Sequence, residues 1–226
     1  MSATEKLEYG RTYHIYNRGI NSTDLFLCRG DYERFLDLYA KYIHPIADTY
    51  AWVLLKNHFH ILAGIRDLSV CDKDLSVCEA ADSVGSDDTP LTLTGLKTLS
   101  GRDKDLSGQC PSRQFSHLFN AYARYFNIKH GRHGGLFETP FKRVRVNTEK
   151  YFRRLVYYIH HNPVKHGFAE HILDWGWSSY LTIISVKPTR LCRETVLGYF
   201  DDAANFKAYH QRERDLSDIV DLMLES

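Results

Sequence analysis

Long apolar runs are missing from this chain. No stretch of about 18 apolar residues occurs, so a membrane-spanning helix is not expected. The first ten residues, Met1 to Gly10, lack the apolar centre of a secretion signal, which makes the cytosol the expected compartment. Cysteine is sparse and poorly spaced, with five residues at 28, 71, 78, 110 and 192 and no Cys-x-x-Cys pair. An odd count without paired spacing argues against a disulfide framework or a cysteine zinc site, and for thiols in a reducing compartment. A strong net charge is missing too, the formal value being +1. Taken as an average, that speaks against a polyanionic partner.

The average conceals a pattern. Residues 113–168 hold 11 Lys or Arg but only two acids, a local net of +9, whereas 67–110 carry −5 and 169–226 carry −4. A basic block of this kind can track phosphates, although uneven charge can also be merely a solvated face. With 226 residues and 43% hydrophobic content, the chain suits one globular domain with excess chain.

Periodicity supplies the elements. Thr12 to Asn17 reads as a strand, Asp31 to Ile43 as a helix capped by Asp31, and Tyr50 to Leu55 with His58 to Ile65 as a hairpin turning at Lys56-Asn57. Gln114 to Lys129 reads as an amphipathic helix and Phe141 to Val146 as a half-buried strand. A helix from 148 to about 161 is expected to stop at Asn162-Pro163. Between them, 66–112 is rich in Asp, Ser, Gly and Thr and repeats Asp-Leu-Ser-Val-Cys at 67 and 74. It reads as a disordered insertion in a domain spanning 1–181, followed by a helical tail over 182–226 with helices near 190–210 and 212–224. The order strand–helix–strand–strand–helix–strand is the ferredoxin-like α+β pattern, an antiparallel sheet with helices on one face and the other left for a ligand.

Two constellations carry possible chemistry. His58 and His60 lie at i and i+2 on a strand, so both imidazoles project from one face and form a plausible divalent-metal pair. Satisfied structural histidines at this spacing are also common. On the 148–162 helix, Phe152, Leu155, Val156 and Ile159 form the core stripe. Tyr158 and Asn162 share the next stripe as i and i+4 neighbours, with Tyr157 on the far side. A tyrosine at a helix edge beside a C-terminal Asn cap explains the same pattern without any chemistry. Lys142, Arg143, Arg145, Lys150 and Lys165 are candidate phosphate contacts. Tyr122, Tyr125 and Phe126 read as core, Trp175 and Trp177 as packing of the tail, and His130 and His133 as a basic loop.

The phrases Tyr13-His-Ile-Tyr-Asn-Arg-Gly19, Tyr50-Ala-Trp-Val-Leu-Leu-Lys-Asn-His-Phe-His60, Gly135-Leu-Phe-Glu-Thr-Pro-Phe-Lys142 and Tyr157-Tyr-Ile-His-His-Asn-Pro-Val-Lys165, with Asp174-Trp-Gly-Trp-Ser-Ser-Tyr180, occur in an order of their own. In these the chain resembles the HUH single-tyrosine transposases, most of all the REP-associated tyrosine transposases, over about 9–65 and 113–181. The resemblance implies that His58 and His60 are metal ligands with Asn162 as the third, for Mg²⁺ or Mn²⁺. It implies Tyr158 as the nucleophile that forms a 5′-phosphotyrosine on single-stranded or hairpin DNA. A domesticated hairpin-binding protein that no longer cuts is the competing expectation, and either a monomer or a homodimer is compatible with the sequence. Two departures stand out: Lys56 replaces a proline frequent in the family, and the 66–112 insertion follows the histidine strand.

Overall fold

The computed structural model describes residues 6–67 and 110–212. Strand β1 (Thr12–Arg18) leads to helix α1 (Arg29–Tyr42), strands β2 (Ala47–Leu54) and β3 (His58–Ile65), and helix α2 (Pro111–Lys129). Strand β4 (Lys142–Arg145), helix α3 (Glu149–Lys165) and three tail helices follow: α4 (Tyr180–Ile184), α5 (Arg193–Gly198) and α6 (Ala203–Gln211). The four strands form one sheet in the order β2-β3-β1-β4, every pair antiparallel, so the expected ferredoxin-like architecture is the one found. The expected insertion lies outside the described residues over 68–109, as does nearly all of the helix expected at 212–224. At the insertion's margins, Arg66 pairs with Asp48 at 2.8 Å and α2 begins three residues earlier than the periodicity suggested, with Pro111 in its first turn.

One expectation about the layers needs correcting. Helices α1 and α2 cover one sheet face, where Tyr13, Ile15, Phe59, Ile61 and Ala63 meet Phe35, Leu38, Phe115, Leu118 and Phe126. The opposite face is not left open. Helix α3 and the tail pack there, bringing Phe152, Leu155, Val156, Ile159, Ile183 and Phe206 against Ala51, Val53 and Leu62. A strand covered on both sides should read as an unbroken apolar run, and after its first residue β3 is buried throughout. A bulge between Thr49 and Ala51 shifts the parity of β2, so Ala47 packs with one core and Ala51 and Val53 with the other. The outer edge of β2 is capped by the tail, through bridges to Ser178 and Leu191.

Two helix ends also differ from expectation. Asp31 is not the N-cap of α1. Cys28 holds that position, and the Asp31 carboxylate reaches back to accept the Leu27 and Cys28 N–H groups at 2.9 and 3.1 Å. Helix α3 does not stop at Asn162-Pro163. Proline removes one backbone donor, yet the helix continues to Lys165, and the His166 N–H donates to the Asn162 carbonyl at 3.0 Å. At its start Thr148 caps the helix by accepting from the Tyr151 N–H at 3.2 Å. Trp177 stacks on Tyr32 at 4.5 Å and the Trp175 indole donates to the Leu54 carbonyl at 3.0 Å, so both fasten the tail as expected.

Candidate active site

Strand register assembles the site. Arg18 lies opposite His58, Tyr16 opposite His60 and His14 opposite Leu62. Cross-strand partners share a face, so His14, Tyr16, Arg18, His58 and His60 all emerge from the side on which α3 packs. Lys142 joins them from β4, opposite Tyr16. The His58 and His60 rings lie 5.3 Å apart, nearly perpendicular, as the period-two reading required.

Helix α3 brings its residues down onto this pair. Asn162 is fully buried and its Oδ1 lies 3.2 Å from His58 Nε2. Tyr158 is 1% exposed, with its ring 5.4 Å from His60 and edge-on, and Lys165 Nζ lies 5.0 Å over that ring. Tyr157 faces the tail instead, stacked on His161 at 3.8 Å and packed near His210. The four residues singled out on two separate elements therefore converge. The cleft beside them has a volume of about 340 Å³ and is lined by Tyr16, Arg18, His58, His60, Glu138, Lys142 and His166 among others. Tyr158 is not one of its lining residues.

The donor set can be tested for a metal from the bonds each ring makes. His58 Nδ1 lies 2.7 Å from Asn57 Oδ1 and donates to it, because an amide oxygen only accepts. His60 Nδ1 lies 2.9 Å from His14 Nε2, inside the core. Both imidazoles thus have Nδ1 engaged, the arrangement of metal-ligating histidines whose Nε2 carries the ion. With the Asn162 amide assigned as it stands, its oxygen and the Nε2 lone pair of His58 face each other at 3.2 Å. Two acceptors at that separation match neighbouring ligands of one divalent ion, which at about 2.1 Å each would lie about 3 Å apart. The reversed amide would instead donate to His58. The Asn162 Nδ2 has no hydrogen-bond partner among the described residues. Also among the described residues, no group of three or more His, Cys, Asp or Glu is arranged to hold a metal, so a set of three built here includes a donor of another kind, such as the Asn162 amide oxygen. The residues fit a divalent cation, which would keep further positions for water and phosphate.

The five candidate phosphate contacts divide. Lys142 is exposed and lines the cleft, and Lys165 is exposed at the end of α3. Lys150 is exposed in the first turn of α3. Arg143 and Arg145 lie opposite Ile15 and Tyr13, which places them on the other sheet face. There Arg143 sits 4.1 Å over the Phe141 ring and donates to Ser112 Oγ, and Arg145 pairs with Glu8 at 3.3 Å. Arg18 and Glu138, which pair at 3.4 Å in the cleft, were not anticipated, nor were His14, Tyr16 and His166. Alternation along Thr12–Arg18 holds the signal for the strand members, but no local pattern sets the register that brings them beside His60. The basic-loop reading of His130 also changes, since its Nε2 lies 3.1 Å from the buried Asp31 carboxylate.

No protein-family model matches this sequence. A curated Haemophilus influenzae protein, provisionally named a REP-associated tyrosine transposase, is 26% identical over 137 residues, which is 61% of each chain. The chain therefore spans under two thirds of the length of that relative. A solved structure of a REP-associated tyrosine transposase bound to a REP hairpin superposes with a TM-score of 0.53 at 19% identity, covering 83% of this chain and 89% of the other. At that identity the superposition establishes the fold. In sequence and in fold, the chain resembles the REP-associated tyrosine transposases.

Proposed function

We propose that this protein is a single-tyrosine strand-transfer enzyme acting on single-stranded, hairpin-forming repeat DNA. The observation that carries the reading is the convergence of His58 and His60 from β3 with Asn162 and Tyr158 from α3. That set lies beside a cleft that also holds Lys142 and Arg18. A structural histidine pair needs no tyrosine one helical turn from the amide that faces it. The relative's name and the neighbour's bound hairpin support the choice of DNA as partner.

His58, His60 and Asn162 would hold a Mg²⁺ or Mn²⁺ ion, which when bound polarises a non-bridging oxygen of the scissile phosphate as a Lewis acid. The chain's own residues supply the remainder. The Tyr158 oxygen attacks phosphorus, the bond from phosphorus to the 3′-oxygen breaks, and the strand end stays on the protein as a 5′-phosphotyrosine. The phenol proton is lost and the departing 3′-oxygen gains one. Attack by the 3′-hydroxyl of another end reverses the step and rejoins DNA. Lys142 and Arg18, which line the cleft, would hold the strand's phosphates, the latter after parting from Glu138.

The burial of Tyr158 favours a second reading, a hairpin-binding protein that does not cut, because such a protein needs no accessible nucleophile. A labelled hairpin oligonucleotide incubated with protein and Mn²⁺ separates the two. Strand transfer leaves a protein–DNA adduct that survives denaturation, and mere binding leaves none.

A further inference from the structure

The tail reaches the tyrosine helix through histidines that the site does not use. His160 and His210 are both buried. The Trp52 N–H donates to Ser179 Oγ at 2.9 Å, and Ser179 Oγ lies 2.8 Å from His160 Nε2. His160 Nδ1 lies 2.9 Å from His210 Nε2, and His210 Nδ1 lies 2.8 Å from the Phe206 carbonyl. The protons on this chain can be assigned from its ends. A carbonyl only accepts, so His210 Nδ1 carries a proton. A neutral His210 then accepts at Nε2, His160 donates from Nδ1 and accepts at Nε2, and the Ser179 hydroxyl donates. One arrangement satisfies every bond with both rings neutral.

This chain of bonds runs from strand β2 across α3 to helix α6. His160 is two residues from both Tyr158 and Asn162, about 200° round the helix, so it secures the side opposite the one that presents them. A second tie lies alongside, where the His161 ring stacks 5.8 Å from that of His210. A helix rotation of about 10° moves a group ~6 Å from the axis by about 1 Å, and a 1 Å misplacement costs about 100-fold in rate. We infer that His210 is a positioning residue, setting through His160 the rotation of α3 and hence the placement of Tyr158 and Asn162 over His58 and His60. The inference rests on the strand-transfer reading above.

The test uses the full chain. In His210→Ala, the rate of adduct formation at saturating hairpin should fall about 10- to 100-fold, with hairpin affinity unchanged. His210→Gln restores an acceptor for the His160 Nδ1–H and should recover most of that loss. A purely stabilising role would lower the melting temperature of the alanine variant but leave the rate of its folded fraction at the wild-type value, and that result overturns the inference. Hydrogen exchange across 149–165 gives a readout independent of activity. If the wild-type protein itself forms no adduct, the strand-transfer reading fails. The positioning role is then judged by exchange alone, supported by faster exchange in His210→Ala and overturned by no change.

Discussion

His14 is the most informative residue that the sequence did not single out. Its Nε2 lies 2.9 Å from His60 Nδ1, and a His60 that serves as a ligand through Nε2 carries its proton on Nδ1 and donates it to His14. His14→Leu puts an apolar side chain in a fully buried position and removes the ring nitrogen that His60 contacts. His60 must then either keep an unpaired buried N–H, at about 1–3 kcal/mol, or move the proton to Nε2 and lose its ligand lone pair. Loss of such an orienting partner lowers metal affinity about 10- to 100-fold, equivalent to about 1.4–2.8 kcal/mol. Mn²⁺ binding followed by electron paramagnetic resonance without DNA measures the first quantity. Urea melts in EDTA measure the stability cost, expected at about 1–3 kcal/mol. A folded His14→Leu protein that binds Mn²⁺ as tightly as wild type would refute the role given to this bond.

The division of basic residues between the two sheet faces makes Lys142→Ala reduce the salt dependence of hairpin binding by about one contact, a slope change of roughly 0.7 for single-stranded DNA. Arg145→Ala should leave the slope unchanged; the opposite ranking would place the DNA on the other face. On the reading that α3 acts on the histidines of its own chain, mixing His58→Ala with Tyr158→Phe should restore no cleavage, and restoration would show that the tyrosine helix acts on a partner's histidines. Burial alone would raise the pKa of Asp31, but hydrogen bonds from Lys129, the Leu27 and Cys28 N–H groups and His130 reverse this and hold it well below the usual carboxylate range. A depressed folded pKa means that the stabilisation is present above the unfolded value near 4 and fades as the pH falls below it. Asp31→Asn should therefore cost about 2 kcal/mol at pH 7, and urea melts should show the gap to wild type narrowing at pH 3. A gap of the same size at both pH values would contradict the assignment.

What the sequence made legible were properties of single elements. Period two put His58 and His60 on one face, and the helical stripe put Tyr158 beside Asn162, because both follow from backbone geometry alone. Properties set between elements were not legible. The register of β1 against β3, which brings Tyr16 opposite His60, depends on turns and on core packing that no local pattern encodes. The same is true of Arg143 and Arg145. Alternation separates them from Lys142, but only the pairing of this four-residue edge strand with β1 decides which face meets the site. Pro163 was read as a stop from its local preference, whereas Asn162 and Pro163 are both buried in the final turns of α3, where packing overrides it. Its place before the apolar stripe makes Asp31 look like a cap. Its burial beside Lys129 and His130, about a hundred residues away in sequence, shows only in the folded chain.

The central claim is that Tyr158, rather than its neighbour Tyr157, is joined to DNA. Tyr158 lies against His60, whereas Tyr157 packs on His161 beneath the tail, and about 100° of helix separates them. Each tyrosine can be replaced by Phe, which removes only a hydroxyl, and the proteins incubated with Mn²⁺ and an end-labelled hairpin before denaturing electrophoresis. The expected result is an adduct with wild type and Tyr157→Phe and none with Tyr158→Phe, while all three bind the hairpin alike. An adduct that persists in Tyr158→Phe, or one that disappears only in Tyr157→Phe, would contradict the account.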